Sequence, residues 1–99
     1  TGLSYMGYAH IGAGHPHTNM LAKNPKEVAI AQEALLKCCK KAVELGGGIT
    51  GEHGVGKLHT DLVPIQYANN IIDDMKKWKT EYDSNWILGR GNIFPATKF

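Results

Sequence analysis

Two glycine-flanked clusters contain most of the side chains in this chain that could bind a metal or move a proton. The first, at residues 10–19, holds three imidazoles and a carboxamide: His10, His15, His17 and Asn19. The second, at residues 51–57, places the carboxylate of Glu52 beside His53. Imidazole gains or loses a proton near neutral pH and is a common metal ligand, and glycine lets the backbone bend where other residues resist it. The two clusters therefore predict a binding or catalytic site.

The spacing of His10 and His17 would let both imidazoles reach one point if the chain turns at residues 12–14. Two histidines and a glutamate are the ligand set of an open zinc site, which leaves one position for water or substrate. His10, His17 and Glu52 are therefore candidate metal ligands. On composition alone, hydrogen-bonded loop histidines are the commoner explanation, because short histidine motifs often occur without a metal. Both interpretations stay open at this point.

The loop around Glu52 also has two explanations. Glu52 could cap the helix that follows, with His53 in solvent beside it. Alternatively, Glu52 binds a metal and His53 points elsewhere in the pocket, where it could act as a base. Glycines on both sides favour the second explanation, since a helix cap needs only one of them. Lys57 is close enough in sequence to attract an acidic substrate, although lysines at such positions are more often solvated.

Composition excludes several classes of protein. Ninety-nine residues, 42% of them hydrophobic, make at most one globular domain. The formal net charge is only +2, and the lysines lack interleaved aromatics, so nucleic-acid binding has little support. No apolar run approaches the ~20 residues of a membrane span. The chain starts at Thr1 without a signal peptide and enters a strand-like segment almost at once, which suggests a fragment of a longer protein.

The adjacent cysteines Cys38 and Cys39 are predicted to be reduced thiols. Neighbouring positions on a helix point about 100° apart, so a disulfide between them would be strained. We expect Cys38 on the core face of its helix and a cytoplasmic location, where thiols stay reduced.

Periodicity and turn residues predict the elements that carry the clusters. Alternation predicts a central strand at residues 3–11, and a second strand at 17–21 completes a hairpin around the histidines. Asn24, Pro25 and Glu27 form a helix start with a capping box, and residues 46–48 end that helix. Its predicted apolar stripe consists of Val28, Ala31, Leu35, Cys38, Ala42 and Leu45.

The second half of the chain predicts fewer elements. Residues 48–51 suggest a short strand that leads into the Glu52 loop, and Pro64 opens a second amphipathic helix. The stripe of that helix contains core or interface residues: Ala68, Ile71, Met75, Trp78 and Tyr82. A turn at 83–85 and an irregular tail at 86–99 follow. The predicted fold class is α+β, with two amphipathic helices packed on a small antiparallel sheet.

These motifs together resemble one family. Residues 7–12 read GYAHIG, 17–19 read HTN, 51–56 read GEHGVG and 88–94 read LGRGNIF. The combination, in this order and over nearly the whole chain, resembles the C-terminal part of FAD-linked oxidases of the vanillyl-alcohol-oxidase superfamily. Within it, the chain is most similar to the group of glycolate oxidase large subunits, D-lactate dehydrogenases and D-2-hydroxyglutarate dehydrogenases. The specificity of this combination shifts the balance toward a functional site.

The resemblance implies a role for each candidate residue. His10, His17 and Glu52 would bind zinc or another divalent metal, and His53 would be the base near the flavin. Asn19 would contact the substrate, a small 2-hydroxy acid such as glycolate or D-lactate that is oxidised to the 2-oxo acid. We assign Lys57 to attraction of the acidic substrate.

The resemblance also implies the remainder of the protein. FAD would be bound mainly by an N-terminal domain that this chain lacks, so the chain alone would be inactive. The chain would form about half of a ferredoxin-like cap domain plus the C-terminal tail. Expected partners are the substrate and the FAD domain of the same protein, with self-association of the fragment through open sheet edges. The expected location is cytoplasmic, or membrane-peripheral through partner subunits.

Two segments depart from the common family pattern. The family's G-D-G-N-L-H appears here as residues 12–17, GAGHPH, and its N-P-G-K appears as residues 89–92, GRGN. These departures leave the substrate, the role of His15 and the flavin contacts of the tail open. Two other functions compete with the oxidase: a non-catalytic interaction fragment with a vestigial site, and a stand-alone zinc hydrolase that uses Glu52 or His53. The hydrolase is the weaker alternative, since so short a chain offers little cavity.

Overall fold

The histidine-rich segment forms an antiparallel hairpin in the computed structural model, which describes residues 1–95. Strand β1 spans Tyr5–His10 and strand β2 spans His15–Met20. A 3-10 turn at Ile11–Ala13 joins them, and Gly14 completes it with a φ of 61°. The predicted strand, glycine turn and strand are confirmed, although β2 begins two residues earlier than predicted. This early start places His15 within the ladder, directly opposite His10.

The sheet is smaller than the sequence predicts. Within residues 1–95 it contains only β1 and β2, so β1 has one neighbour and its predicted central position is wrong. The third strand predicted at 48–51 is also wrong, because that segment bends and its backbone bonds to a side chain. Ile49 N–H donates to Gln66 Oε1 at 2.9 Å, in place of a ladder bond. Self-association through the sheet edges stays a prediction.

Helix α1, at Pro25–Glu44, begins as predicted. Glu27 N–H donates to Asn24 Oδ1 at 3.0 Å, which satisfies one of the free amides of the first turn. The Glu27 carboxylate in turn accepts from Lys23 N–H at 2.7 Å, one residue before the position used in a standard capping box. The capping residues therefore fix where the segment after the hairpin becomes helical.

The C-terminus of α1 is closed by the glycines at 46–48. Gly46 has a φ of 83° and donates to Val43 O at 2.9 Å, and Gly47 donates to Ala42 O at 2.8 Å. This pair of hydrogen bonds is a Schellman motif, which needs a left-handed residue where glycine is least costly. A side chain at Gly47 would contact Ala42 O at 3.0 Å, so glycine is also required there by space.

The buried side of α1 differs from the predicted stripe. Ala31 and Ala42 are half-buried as expected, but Val28, Leu35 and Cys38 are exposed. Cys39 is buried instead of Cys38, and the two cysteines are not joined in a disulfide. Apolar residues occur on more than one side of this helix, so periodicity did not define a single stripe. An assignment one residue off rotates the predicted face by about 100°.

The predicted second helix is divided into two. A 3-10 turn at Thr60–Leu62 leads into the short helix α2, Val63–Gln66, and helix α3 spans Asn69–Tyr82. Tyr67 and Ala68 lie between them in extended conformation, with ψ values of 140° and 156°. The uninterrupted helix from Pro64 is therefore wrong. Neither residue at the break is glycine or proline, which is why the sequence did not predict it.

Most of the apolar stripe predicted for the second helix is exposed in α3, and among its residues there only Met75 is half-buried as predicted. Trp78 and Tyr82 are 59% and 76% exposed, and their rings stack on each other with centroids 6.0 Å apart. The less exposed side carries Ile72, Met75 and Lys79. A core position for Trp78 and Tyr82 is therefore wrong, whereas an interface role stays a prediction.

The chain divides into two compact units, Thr1–Cys38 and Cys39–Phe99. Among residues 1–95, the buried residues all belong to the second unit: Cys39, Leu62, Val63 and Asp83. The predicted turn at 83–85 is present, and residues 96–99 of the predicted tail lie outside the described residues. The α+β class is confirmed, while membership of a ferredoxin-like cap stays a prediction. None of the described helices combines the length and apolarity that a membrane crossing requires.

Candidate functional site

The first group of candidate residues lies on one face of the hairpin. Side chains alternate between the two faces of a strand, and the register pairs Tyr8 with His17 and His10 with His15. These four side chains therefore share a face. Asn19 is paired with Met6 and lies on the same face, two residues beyond His17. The antiparallel ladder thus gathers three imidazoles and the candidate substrate-binding carboxamide on one surface.

The rings of His10 and His17 are suitably placed to share a metal ion. Their centroids lie 5.2 Å apart and their planes are nearly perpendicular, at 81°. His10 is exposed and His17 is half-buried. Each imidazole binds a metal in the plane of its own ring, so two inclined planes can meet at one ion between the rings. The donor set on this face fits a divalent metal, because neutral imidazole is a preferred ligand for zinc.

His15 occupies a different geometry from His10. Its ring stacks on that of His17, with centroids 4.6 Å apart and planes only 21° apart. One ion close to two stacked, nearly parallel rings cannot lie in the planes of both. In this conformation, therefore, His15 and His17 do not bind the same ion. Tyr8 also stacks on His17, at 4.8 Å and 19°. The ring of His17 is therefore held by two stacking partners, Tyr8 and His15.

The second group of candidate residues lies in the loop that carries Glu52 and His53. Three glycines in this loop have left-handed backbones, with φ values of 53° at Gly51, 67° at Gly54 and 55° at Gly56. A residue with a side chain would be strained at each of these positions. The loop closes on itself through Gly54 N–H, which donates to the carbonyl of Thr50 at 3.0 Å. The glycines therefore permit a tight loop that presents both polar side chains.

Glu52 and His53 approach each other within this loop. His53 Nε2 lies 3.7 Å from Glu52 Oε1, and the two side chains are 84% and 48% exposed. The next helical turn starts at Thr60 with His59 in the N-cap position, so Glu52 is not its N-cap. Lys57 lies in the turn that follows Gly56 and is exposed. An accessible carboxylate, imidazole and ammonium are thus carried by one short segment of the second unit.

The C-terminal tail is tied to this loop. Ile93 N–H donates to the carbonyl of Gly56 at 2.8 Å, and the turn before it is closed by Asn92 N–H, which donates to Gly89 O at 2.8 Å. Ile93 has a φ of 65°, which is unusual for a β-branched residue. The sequence predicts only an irregular tail here.

Sequence reasoning missed two residues that organise these segments. Tyr8 stacks on His17, and its signal was the two-residue alternation that places it beside His10. Asp83, at the end of α3, is 8% exposed and binds the backbone of the tail. The Lys79 ammonium, which donates to it, holds the pKa of the Asp83 carboxyl below its ordinary 3.8. Its signal was a lysine four residues earlier on the same helical face.

The chain is similar to a glycolate oxidase subunit and to two dehydrogenases. It is 35% identical to glycolate oxidase subunit GlcD of Bacillus subtilis over 94 residues, which cover 93% of this chain and 20% of that protein. It is 30% identical to the D-2-hydroxyglutarate dehydrogenase of Stutzerimonas stutzeri, over 90% of this chain and 20% of that protein. It is 28% identical to the mitochondrial D-lactate dehydrogenase [cytochrome] 1 of Saccharomyces cerevisiae, over 86% of this chain and 14% of that protein.

The chain spans about a fifth, or less, of the length of these relatives. No solved structure matches it significantly. The model of the family described as "FAD linked oxidases, C-terminal domain" matches residues 1–93. That match covers nearly the whole chain and includes the hairpin, the Glu52 loop and the turn before Ile93. The chain therefore belongs to the FAD linked oxidases, as part of their C-terminal domain.

Proposed function

We propose that this chain is the metal- and substrate-binding C-terminal portion of an FAD-dependent oxidoreductase that oxidises a 2-hydroxy acid to the 2-oxo acid. The observation that carries the proposal is the hairpin face, where His10 and His17 lie 5.2 Å apart in nearly perpendicular planes. The names of the relatives, which include a glycolate oxidase subunit and a D-lactate dehydrogenase, support a small hydroxy acid as substrate.

Three residues would hold the metal in this proposal. His10 and His17 contribute imidazole nitrogens from the hairpin, and Glu52 contributes a carboxylate oxygen from its loop. The inclined rings support the first two assignments, and the exposed Glu52 side chain supports the third. When bound, zinc or another divalent metal supplies a Lewis acid that lowers the pKa of the substrate hydroxyl. Three protein ligands leave a position for the substrate.

Oxidation of a 2-hydroxy acid removes a proton from the hydroxyl group and a hydride from the carbon that bears it. In our proposal His53 accepts the hydroxyl proton on its imidazole, because it is the accessible imidazole beside the metal ligand Glu52. FAD, bound mainly by a domain outside this segment, supplies the acceptor for the hydride. The products are then the 2-oxo acid, reduced flavin and a protonated His53.

Two further residues would bind and orient the substrate. Asn19 shares the hairpin face with His10 and His17, so its carboxamide can donate a hydrogen bond to a substrate that reaches the ion. Lys57 is exposed and follows the Glu52 loop, where its ammonium attracts an acidic substrate. The Asn19 amide and the Lys57 ammonium would together favour a substrate whose carboxylate has a neighbouring hydroxyl.

The experiment that tests this function uses the intact protein encoded by the full reading frame. Anaerobic mixing with glycolate, D-lactate or L-lactate should bleach the flavin absorbance with at least one of these acids, and the purified protein should contain one metal equivalent. Glu52→Gln should lose the metal and most of the bleaching rate, while Glu81→Gln, which alters an exposed glutamate of α3, should retain both. Absence of bleaching with every 2-hydroxy acid tested would contradict the proposal.

A further inference from the structure

A buried carboxylate lies where α3 ends. Asp83 Oδ1 accepts a hydrogen bond from Ile87 N–H at 3.1 Å, and Asp83 Oδ2 accepts one from Leu88 N–H at 3.0 Å. The same Oδ2 accepts from the Lys79 ammonium one turn earlier. Asp83 is only 8% exposed, so three donors replace the water that a free carboxylate would bind. The carboxylate therefore fixes the backbone of the tail where it leaves the helix.

Lys79 also binds the backbone of the tail. Its Nζ donates to the carbonyl of Leu88 at 2.7 Å, in addition to Asp83. Leu88 thus has both its N–H and its carbonyl bound by side chains at the C-terminal end of α3. We call this arrangement of Asp83, Lys79 and the backbone of residues 87 and 88 the Asp83 anchor.

A negative charge is unfavourable where Asp83 lies. The C-terminus of a helix carries the negative end of the helix dipole, so acids are disfavoured there and lysines are favoured. A plain helix end would be satisfied by Lys79 alone or by solvent. The position of Asp83 therefore indicates that the bonds to Ile87 and Leu88 matter more than the local electrostatics of the helix.

The Asp83 anchor is continuous with the Glu52 loop through backbone hydrogen bonds. After Leu88, the turn at 89–92 closes through Asn92 N–H and Gly89 O, and Ile93 N–H then donates to Gly56 O at 2.8 Å. The left-handed φ of Ile93 orients that amide and persists only if the surrounding structure holds it. Gly56 is three residues after His53, and the start of the loop is closed by the Thr50 to Gly54 bond. The loop is therefore held at both ends.

We propose that Asp83 is a positioning residue that fixes the loop carrying Glu52 and His53. It acts through the tail turn and Gly56 and touches neither substrate nor cofactor. The inference rests on the proposed function, in which His53 is the base and must lie at a fixed distance from the substrate hydroxyl. Removal of the anchor leaves His53 chemically intact but lets its loop move.

The test compares Asp83→Asn with Asp74→Asn. Each variant removes one carboxylate charge, from within α3 at Asp74 or from the residue after it at Asp83. Asp74 is exposed, and the partner described for it is the Lys77 ammonium, at 2.8 Å. In the intact flavoprotein, below the unfolding temperature of each variant, Asp83→Asn should slow flavin reduction by about 10- to 100-fold, the usual effect of a small displacement of a catalytic group. The substrate KM should change little, the metal affinity should fall because Glu52 lies on the same loop, and Asp74→Asn should behave as wild type.

Two further measurements separate positioning from stability. Hydrogen exchange of the Ile93 amide in the 99-residue chain should be faster in Asp83→Asn and unchanged in Asp74→Asn. With zinc present at saturating concentration, the double variant Asp83→Asn/His53→Ala should reduce flavin no more slowly than His53→Ala alone, because the loop then has no base left to position. If Asp83→Asn does not fold, Lys79→Gln, which removes the bond to Leu88 O, carries the same comparison.

Wild-type flavin reduction in folded Asp83→Asn would overturn the proposal, even if its unfolding temperature fell. Additive losses in the double variant would also overturn it. Full-speed reduction in His53→Ala would instead contradict the proposed function. In that case the exchange rate of the Ile93 amide still decides whether Asp83 fixes the loop.

Discussion

The hairpin and the Glu52 loop carry polar side chains of similar chemistry, but different forces position them. On the hairpin, the ladder fixes His10 and His17 on one face, and ring stacking on Tyr8 and His15 orients His17. Each of these contacts lies within seven residues of His10. The loop instead depends on left-handed glycines and on a hydrogen bond from Ile93, nearly forty residues later in the chain.

This difference predicts how each region responds to substitution. A strand pair holds its side chains through many backbone bonds, so one altered side chain changes local chemistry and leaves its neighbours in place. A loop held by a few bonds transmits a change at one anchor to every residue it carries. We therefore expect substitutions in the hairpin to change the reaction only through loss of the metal, whereas substitutions in the loop should also change its rate directly, through His53.

The largest effect is expected at His53. His53→Ala in the intact flavoprotein should retain metal and flavin but slow flavin reduction by roughly 10²- to 10⁴-fold, the contribution of a positioned acid–base group. Stopped-flow bleaching with the preferred 2-hydroxy acid measures the rate, and elemental analysis measures the metal. His59→Ala is the matched control, because His59 is also exposed in the second unit and has no proposed role. Full-speed bleaching in His53→Ala would remove His53 as the base.

The next effect is expected at His17. His17→Ala should weaken zinc binding to the 99-residue chain by about 100-fold or more, since loss of a ligand from an open three-ligand site leaves only two. Calorimetric titration with zinc measures the affinity, and circular dichroism should show that the hairpin is retained. His59→Ala should bind zinc as the unaltered chain does. Equal affinity in the two variants would exclude His17 as a ligand.

Much of the hairpin could be predicted from the sequence. The glycines at 12 and 14 mark the turn, and alternation on either side marks the strands, because both signals are local. The start of β2 was misjudged because Pro16 follows His15, and proline is unusual within a strand. In a two-stranded sheet both strands are edges, where proline is tolerated. The shared face of His10 and His17 follows from the register that this turn imposes.

The second unit was less predictable, because its structure depends on contacts distant in sequence. The break at Tyr67 and Ala68 contains neither glycine nor proline. The less exposed side of α3 carries Lys79, whose ammonium donates to Asp83. An apolar periodicity contains no information about that contact. The link from Ile93 to Gly56 spans 37 positions, and no local pattern encodes it. The roles of Glu52 and His53 came from motif resemblance, that of Lys57 from its position beside their loop, and all three stay predictions.

A smaller effect is expected at His15, where the ring geometry separates two roles. If His15 orients His17 by stacking, His15→Phe keeps an aromatic ring and should bind zinc within a few-fold of the unaltered chain. His15→Ala should bind zinc about 10-fold more weakly, because loss of a group that orients a metal ligand typically lowers the affinity by that much. Zinc calorimetry on the two variants measures both. A loss in His15→Phe as large as that in His17→Ala would instead make His15 a metal ligand and contradict the stacking role.

The smallest effect is expected in the acid stability of the second unit. The Lys79 ammonium, followed by the amides of Leu88 and Ile87, holds the pKa of the folded Asp83 carboxyl below its ordinary 3.8. A carboxyl whose pKa is lower in the folded state contributes fully to the free energy of unfolding above its unfolded pKa, and this contribution is lost as pH falls through the folded pKa. The unaltered chain should therefore lose stability as pH falls below about 3.8, while Asp83→Asn should be less stable at neutral pH and lose less on acidification.

Thermal unfolding followed by circular dichroism between neutral pH and pH ~2 measures both slopes. Asp74→Asn again serves as the control, because an exposed ion pair contributes little to stability. Parallel curves for Asp83→Asn and the unaltered chain would show that the carboxylate of Asp83 contributes nothing as a charge, and would leave its hydrogen bonds to the tail as its only role.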